Sequence, residues 1–121
     1  MAAPNLVNVS TITAKSVQAT LGTTVTTEIL ANASSSNKVF KINSIIIANI
    51  DGSNSADATV AITKSGGSPI KIASTIAVAA DSTLILIDKN SSLYLEEGDN
   101  IEAGASAASD LTITINYEEL S

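Results

Sequence analysis

The chain has 121 residues and a formal net charge of −6, from 12 acidic residues against six lysines. It contains no Cys, His, Trp or Arg, which excludes disulfides, thiol nucleophiles, histidine bases and Cys/His zinc sites within one chain. The acidic balance argues against nucleic acid as a partner, because phosphate binding requires clustered basic residues. No segment is apolar enough to span a bilayer and none has the features of a secretory signal, so we expect no membrane partner and no secretory route.

The composition predicts a β protein with an aliphatic core. Apolar residues make up 45% of the chain but aromatic residues only 2%, so the core must consist of Ile, Val, Leu and Ala. Ile, Val and Thr favour strands. The three aromatic residues, Phe40, Tyr94 and Tyr117, are predicted to anchor the core or its edge. A chain of this length forms one domain and can bury a stable core without a disulfide or a bound metal ion.

Residues 1–22 differ from the rest of the chain in their pattern, since they mix Asn, Thr, Ser, Ala and Val without strong periodicity. Two interpretations are open. The segment is either an extended N-terminal arm that pairs with a neighbouring molecule, or the first strand of the same domain. Residues 23–121 are predicted to form a β-sandwich domain.

From residue 23 onward the chain alternates short β segments with turn residues, at a spacing of about ten residues. Segment 38–50 is long enough to be one bent strand or two strands joined at Asn43 and Ser44. The continuous apolar run at 83–87 predicts a strand buried on both faces. In the final strand Leu111, Ile113, Ile115 and Tyr117 are predicted to share one face. We therefore predict an all-β fold, an antiparallel β-sandwich or jelly roll of about eight short strands.

One acidic turn is the best candidate for a metal site. Glu96, Glu97, Asp99 and Glu102 surround Gly98, and carboxylates in loops suit calcium. Their spacing matches no EF-hand loop, and Gly-Asp reverses chains in ordinary solvated turns. We therefore predict a solvated turn, no metal site and no cofactor.

The stretch from about residue 27 to residue 118 resembles small virion proteins of tailed bacteriophages. The matching features are an Ile-rich strand that ends in Asn49, the run 58–62 of Ala-Thr-Val-x-Ile type, and a Leu-x-Leu-x-x-Gly-Asp-x-Ile-x-Ala motif at 93–103. The opening residues 1–15 also resemble structural proteins of marine phages. The resemblance implies a β-sandwich that decorates a capsid or builds a tail or fibre, often as a trimer.

The resulting expectation is a non-enzymatic capsid decoration or cement protein that binds the major capsid protein, or another virion protein, as a homo-oligomer. The resemblance implies that this oligomer is a trimer. Its location would be the virion surface, after synthesis in the host cytoplasm. A tail, neck or fibre component is the first alternative, and a carbohydrate-binding module is the second. The residues expected to bind the partner are those of the arm that offer apolar contacts or a fixed backbone: Pro4, Leu6, Val7, Val9 and Ile12.

Overall fold

The computed structural model describes residues 5–121, and in this range the chain forms nine strands. Two single-turn 3-10 helices, Leu6–Asn8 and Lys89–Ser91, accompany them. No helix in residues 5–121 has the length and apolar character needed to cross a membrane. The strands are β1 (Ile12–Thr20), β2 (Glu28–Ala31), β3 (Val39–Asn49), β4 (Ala56–Thr63), β5 (Ile70–Val78), β6 (Thr83–Ile87), β7 (Leu93–Leu95), β8 (Asn100–Ala105) and β9 (Leu111–Leu120).

The strands form two antiparallel sheets that pack face to face. The first sheet has the order β1-β9-β3-β6, with the short β7 pairing beside β6 on the same side of β3, and the second has the order β2-β8-β4-β5. The pairs β1–β9, β2–β8, β3–β6 and β4–β5 are nested within one another along the chain. This nesting is the jelly-roll arrangement, with β7 as an addition. The predicted all-β sandwich is confirmed.

The core lies between the sheets and is aliphatic. The predicted alternation of β9 is confirmed, because Leu111, Ile113 and Ile115 are fully buried and Tyr117 is nearly so. Phe40 stacks against Tyr117 with ring centroids 5.1 Å apart. The largest fully buried apolar side chains are Leu21, Ile42, Ile45, Ile47, Val60, Leu95, Ile101, Leu111, Ile113 and Ile115.

Segment 38–50 forms one strand, and its bend lies where the sequence placed it. The register of β3 against β9 shifts between Ile42 and Ser44, which leaves Asn43 as the extra residue of a bulge. The bulge keeps Ile42 and Ile45 both on the buried face, although three positions separate them. A regular strand would turn one of these side chains outward.

The prediction that segment 83–87 is buried on both faces is wrong. β6 lies at the edge of the first sheet, and only Ile87 is buried. Ile85 points away from the second sheet and is 62% exposed. A continuous apolar run therefore marks an edge strand here, because nothing in residues 5–121 covers the outer side of β6.

Two buried asparagines fasten loops to the sandwich. Asn49, at the end of β3, donates to the carbonyls of Asn54 (3.0 Å) and Val78 (2.8 Å) and accepts from the amide of Asp51. Asn32 donates to the carbonyls of Lys38 and Leu95. Buried amide groups of this kind must be paired, so the two side chains fix the loops that follow β3 and β2.

The loop before β2 lies close against the second sheet at Gly104. A Cβ atom at this position would be 2.6 Å from the Cα of Val25 and 2.8 Å from the carbonyl oxygen of Thr24. Only glycine allows this approach. The segment 24–27 is thus a loop that covers the outer side of β8.

Candidate assembly surface

Residues 12–20 belong to the sandwich. β1 pairs with β9 of the same chain along its whole length, from Ile12 opposite Leu120 to Thr20 opposite Thr112. The segment that precedes the sheet within the described residues is therefore short and runs from residue 5 to residue 11. Pro4, the first residue of the predicted partner-binding arm, lies outside the described residues.

The segment 5–11 is a single helical turn with a defined anchor. The Asn5 side chain accepts from the amide of Val7 at 2.9 Å and caps the turn. The amides of Ser10 and Thr11 donate to the carbonyl of Ser121, and the Ser121 amide donates back to the carbonyl of Thr11. Residues 10–11, just before β1, and Ser121 thus lie together at one corner of the molecule.

The apolar side chains of this segment are poorly covered. Val7 is 89% exposed, Leu6 is 52% exposed and Ile12, at the start of β1, is 62% exposed. Val9 is half-buried. Exposed aliphatic side chains are common singly, but three of them and the half-buried Val9 within seven residues form a small apolar surface. We call Leu6, Val7, Val9 and Ile12 the corner patch.

The corner patch continues across the outer face of the first sheet, the face turned away from the second sheet. Leu6 separates two shallow grooves and lines both of them together with Tyr94. Tyr94 is 45% exposed and lies on this outer face, so the prediction that it anchors the core or its edge is wrong. Besides Leu6 and Tyr94, the grooves are lined by Val39, Lys64 and Glu96 on one side and by Val9, Ile12, Lys41, Glu118 and Leu120 on the other.

An ion-pair cluster under this corner joins β1 and the residue before β3 to β9. Glu119 of β9 is bound by Lys38 at 3.0 Å and by Lys15 of β1 at 3.3 Å. Burial alone would raise the pKa of Glu119, but the two lysines outweigh it and hold the pKa below its ordinary value. β1, which begins at Ile12 of the corner patch, is thereby fixed to the rest of the sheet.

The acidic turn at 96–99 has a structural role. Asp99 is 1% exposed, and its carboxylate accepts from the amides of Glu96 (2.8 Å) and Ser65 (3.0 Å) and from Lys64 Nζ (2.5 Å). Lys64 also contacts Glu96 at 2.6 Å. Its hydrogen bonds to Asp99 and then to Glu96 raise the pKa of Lys64. The turn therefore connects the β7–β8 hairpin to the end of β4.

The other two carboxylates of the acidic turn point elsewhere. Glu97 accepts from the amide of Asn37 at 3.0 Å, and Glu102 is buried on the outer side of the second sheet against the hydroxyl of Thr63. In residues 5–121 no three acidic side chains converge in a way that could hold a metal ion. The sequence did not reveal that Asp99 is buried, because its partner Lys64 lies 35 positions away.

No protein-family model matches this chain, and a search of curated proteins finds no significant match.

Proposed function

We propose that this protein is a non-enzymatic structural protein of a bacteriophage particle, which sits on the capsid surface and binds the major capsid protein through its corner patch. The observation that carries the proposal is the exposure of Leu6 and Val7 on a segment that is anchored at Thr11 and Ser121. A segment held at one end can follow the contour of a partner while the sandwich keeps its shape.

Two further points support a role on a particle. The jelly roll is an architecture of viral capsid domains, although it is also used by lectins and enzymes, so this support is an analogy of fold. The resemblance of residues 27–118 to virion proteins of tailed phages points the same way. For the copies assembled on the particle, we propose the trimer that this resemblance implies.

The proposed mechanism is burial of apolar surface. Each fully buried Val or Leu side chain stabilises an interface by about 1.5–3 kcal/mol. Many copies on one particle would each bridge neighbouring capsid subunits, and the modest contributions would add up over the shell. In the infected cell the protein would be made in the cytoplasm and would function in the virion.

The test compares binding to capsids that lack the protein. A variant without residues 2–10 and the variant Leu6→Asp should each reduce occupancy by about tenfold or more, because a buried carboxylate without a partner is costly. Ile70→Asp is the matched control, since Ile70 is 67% exposed on β5 of the other sheet.

Cryo-electron microscopy of the native particle completes the test. Density for the jelly roll on the outer capsid surface, with residues 5–11 against a capsid subunit, supports the proposal. Unchanged occupancy in both patch variants contradicts the role of the corner patch. Density confined to the tail or neck would replace the capsid role by that of a tail component.

A further inference from the structure

The free edge of β1 differs from the other sheet edges in residues 5–121. β1 runs for nine residues without any shift of register against β9. The edge strand β2 has four residues and a bulge, β6 has five residues and a bulge, and β5 is interrupted by two shifts. Bulges and short strands protect edges from pairing with other chains. β1 lacks these features, and it contains neither Pro nor Gly.

The hydrogen bonds at both ends of β1 show which of its residues face the free edge. Thr11 and Ser121 exchange two backbone hydrogen bonds, and at the other end the amide of Leu21 donates to the carbonyl of Leu111. With an unshifted antiparallel register, the odd-numbered residues of β1 therefore bond to β9. The even-numbered residues direct their amide and carbonyl groups outward. They are Ile12, Ala14, Ser16, Gln18 and Thr20.

We propose that a second copy of this chain pairs with β1 through an antiparallel two-fold contact centred on Ser16. In this register Ser16 faces Ser16 of the other copy, Ala14 faces Gln18, and Ile12 faces Thr20. Every outward-facing residue then meets an outward-facing residue, so all of the free backbone donors and acceptors of the nine-residue edge are satisfied. The two first sheets become one continuous sheet across the two-fold axis.

The side chains permit this contact. The side chains of Ala14, Ser16 and Gln18 are all exposed and uncharged. The single charged side chain of the strand, Lys15, is paired with Glu119 on the neighbouring β9. An isologous contact needs a patch that is complementary to itself, and an antiparallel edge centred on one serine meets that condition.

The corner segment leaves this edge free. Leu6 lines grooves with Tyr94 of β7 and Val39 of β3, so residues 5–11 cross the outer face of the first sheet toward the strands on its far side. The β1 contact and the corner patch therefore share only Ile12, at the start of the strand. The inference does not rest on the proposed capsid role, and its two-fold symmetry differs from that of the trimer implied by the resemblance.

The experiment is sedimentation of the full chain over a concentration series, from about 1 μM to 1 mM. We expect a monomer–dimer equilibrium. Ser16→Lys should weaken dimerisation by about tenfold or more, because it places like charges opposite each other at the two-fold axis. Ser74→Lys, on the edge strand β5, is the matched control and should leave dimerisation unchanged, since Ser74 is likewise exposed.

A second pair of variants tests the register directly and can trap even a weakly populated dimer. The natural chain has no cysteine, so Ser16→Cys introduces a single thiol. Directly opposite residues in a hydrogen-bonded antiparallel pair have Cα atoms about 5.5 Å apart, within the range of a disulfide. Under mild oxidation Ser16→Cys should form a covalent dimer much faster than Ser74→Cys.

The outcomes separate the inference from its rivals. A dimer that is weakened by Ser16→Lys and trapped by Ser16→Cys supports it. A chain that stays monomeric throughout the series, a dimer insensitive to Ser16→Lys, or a trimer with no preferential Ser16→Cys crosslink overturns it. Capsid binding that persists in Ser16→Lys would show that the corner patch works without the β1 contact.

Discussion

At the scale of single residues, Gly98 is a position where both the backbone conformation and the surrounding space require glycine. It has a φ of +85°, and a Cβ atom there would lie 2.6 Å from Ser65 Oγ and 2.8 Å from Ser65 Cβ. Two separate requirements thus select glycine: a left-handed conformation and a close approach to the β4–β5 turn. Gly98 belongs to the turn 96–99, which also positions Asp99 against Lys64. A change at Gly98 therefore disturbs the ion pair between Asp99 and Lys64 as well.

We predict that Gly98→Ala lowers the free energy of unfolding by about 2–4 kcal/mol, from the left-handed backbone and the steric contact together. Gly66→Ala provides the control, because Gly66 has a φ of +74° with nothing within 4 Å of its would-be Cβ atom. The control should lose only about 1–2 kcal/mol. Urea denaturation measures both. Equal losses in the two variants would show that the contact with Ser65 relaxes freely.

At the scale of secondary-structure elements, the cluster of Glu119, Lys15 and Lys38 joins β1 and the start of β3 to β9. The Glu119 side chain is 12% exposed, so its charge depends on its two partners. The lysines lower the pKa of Glu119 in the folded protein. The ionised form therefore stabilises the fold at pH values above the ordinary pKa of 4.5, and this stabilisation disappears as the pH falls through the folded-state pKa.

We predict that the stability of the natural chain falls more steeply below about pH 4.5 than that of Glu119→Gln, and that the two variants converge in acid. Thermal unfolding across a pH series gives the comparison. In the double variant Lys15→Gln/Lys38→Gln only the effect of burial remains, which raises the pKa of Glu119. That variant should gain relative stability as the pH falls, and parallel curves for all three proteins would contradict the assignment.

The elements also show what could be predicted from the sequence. The alternation of β9, the bend at Asn43 and the Gly98 turn follow from local patterns, and the structure contains all three. The exposure of β6 could not be predicted, because an apolar run indicates burial whether or not a neighbour covers it. The buried state of Asp99 depends on Lys64, and no local pattern links residues 35 positions apart.

At the scale of the whole molecule, the nested topology makes the fold depend on contacts between distant parts of the chain. β1 pairs with β9, and nearly all of the sequence lies between them. Folds dominated by such pairings fold slowly, in milliseconds to seconds, because loop closure precedes the stabilising contacts. The corner formed by Thr11 and Ser121 offers a way to change this without changing the sandwich.

We predict that a circular permutant folds severalfold faster than the natural order. Thr11 and Ser121 are a hydrogen-bonded pair, so an Asn-Gly turn inserted between them fits a two-residue hairpin. New ends can be placed between Gly66 and Gly67, in an exposed turn. The control is the unpermuted chain without residues 1–10. Equal refolding rates in stopped-flow measurements would show that β1 and β9 pair after the rate-limiting step.

The candidate site was only partly predictable at this scale. Leu6, Val7 and Ile12 are exposed as a binding arm requires, but residues 12–20 pair within the chain, and the two interpretations of this segment were equally compatible with its sequence. Strand pairing depends on what lies across the sheet, here β9, about a hundred positions later. The self-complementary edge of β1 becomes visible only once that register is known.

The scarcity of aromatic residues makes the two tyrosines separate optical reporters. With no tryptophan to dominate the emission, ultraviolet fluorescence comes from Tyr94 and Tyr117 alone. Tyr117 is buried against Phe40 in the core, whereas Tyr94 borders Leu6 on the outer face. Replacing either tyrosine with phenylalanine leaves a single emitter. The Tyr94 signal then follows movements of the N-terminal segment, and the Tyr117 signal follows the integrity of the sandwich, without an added label.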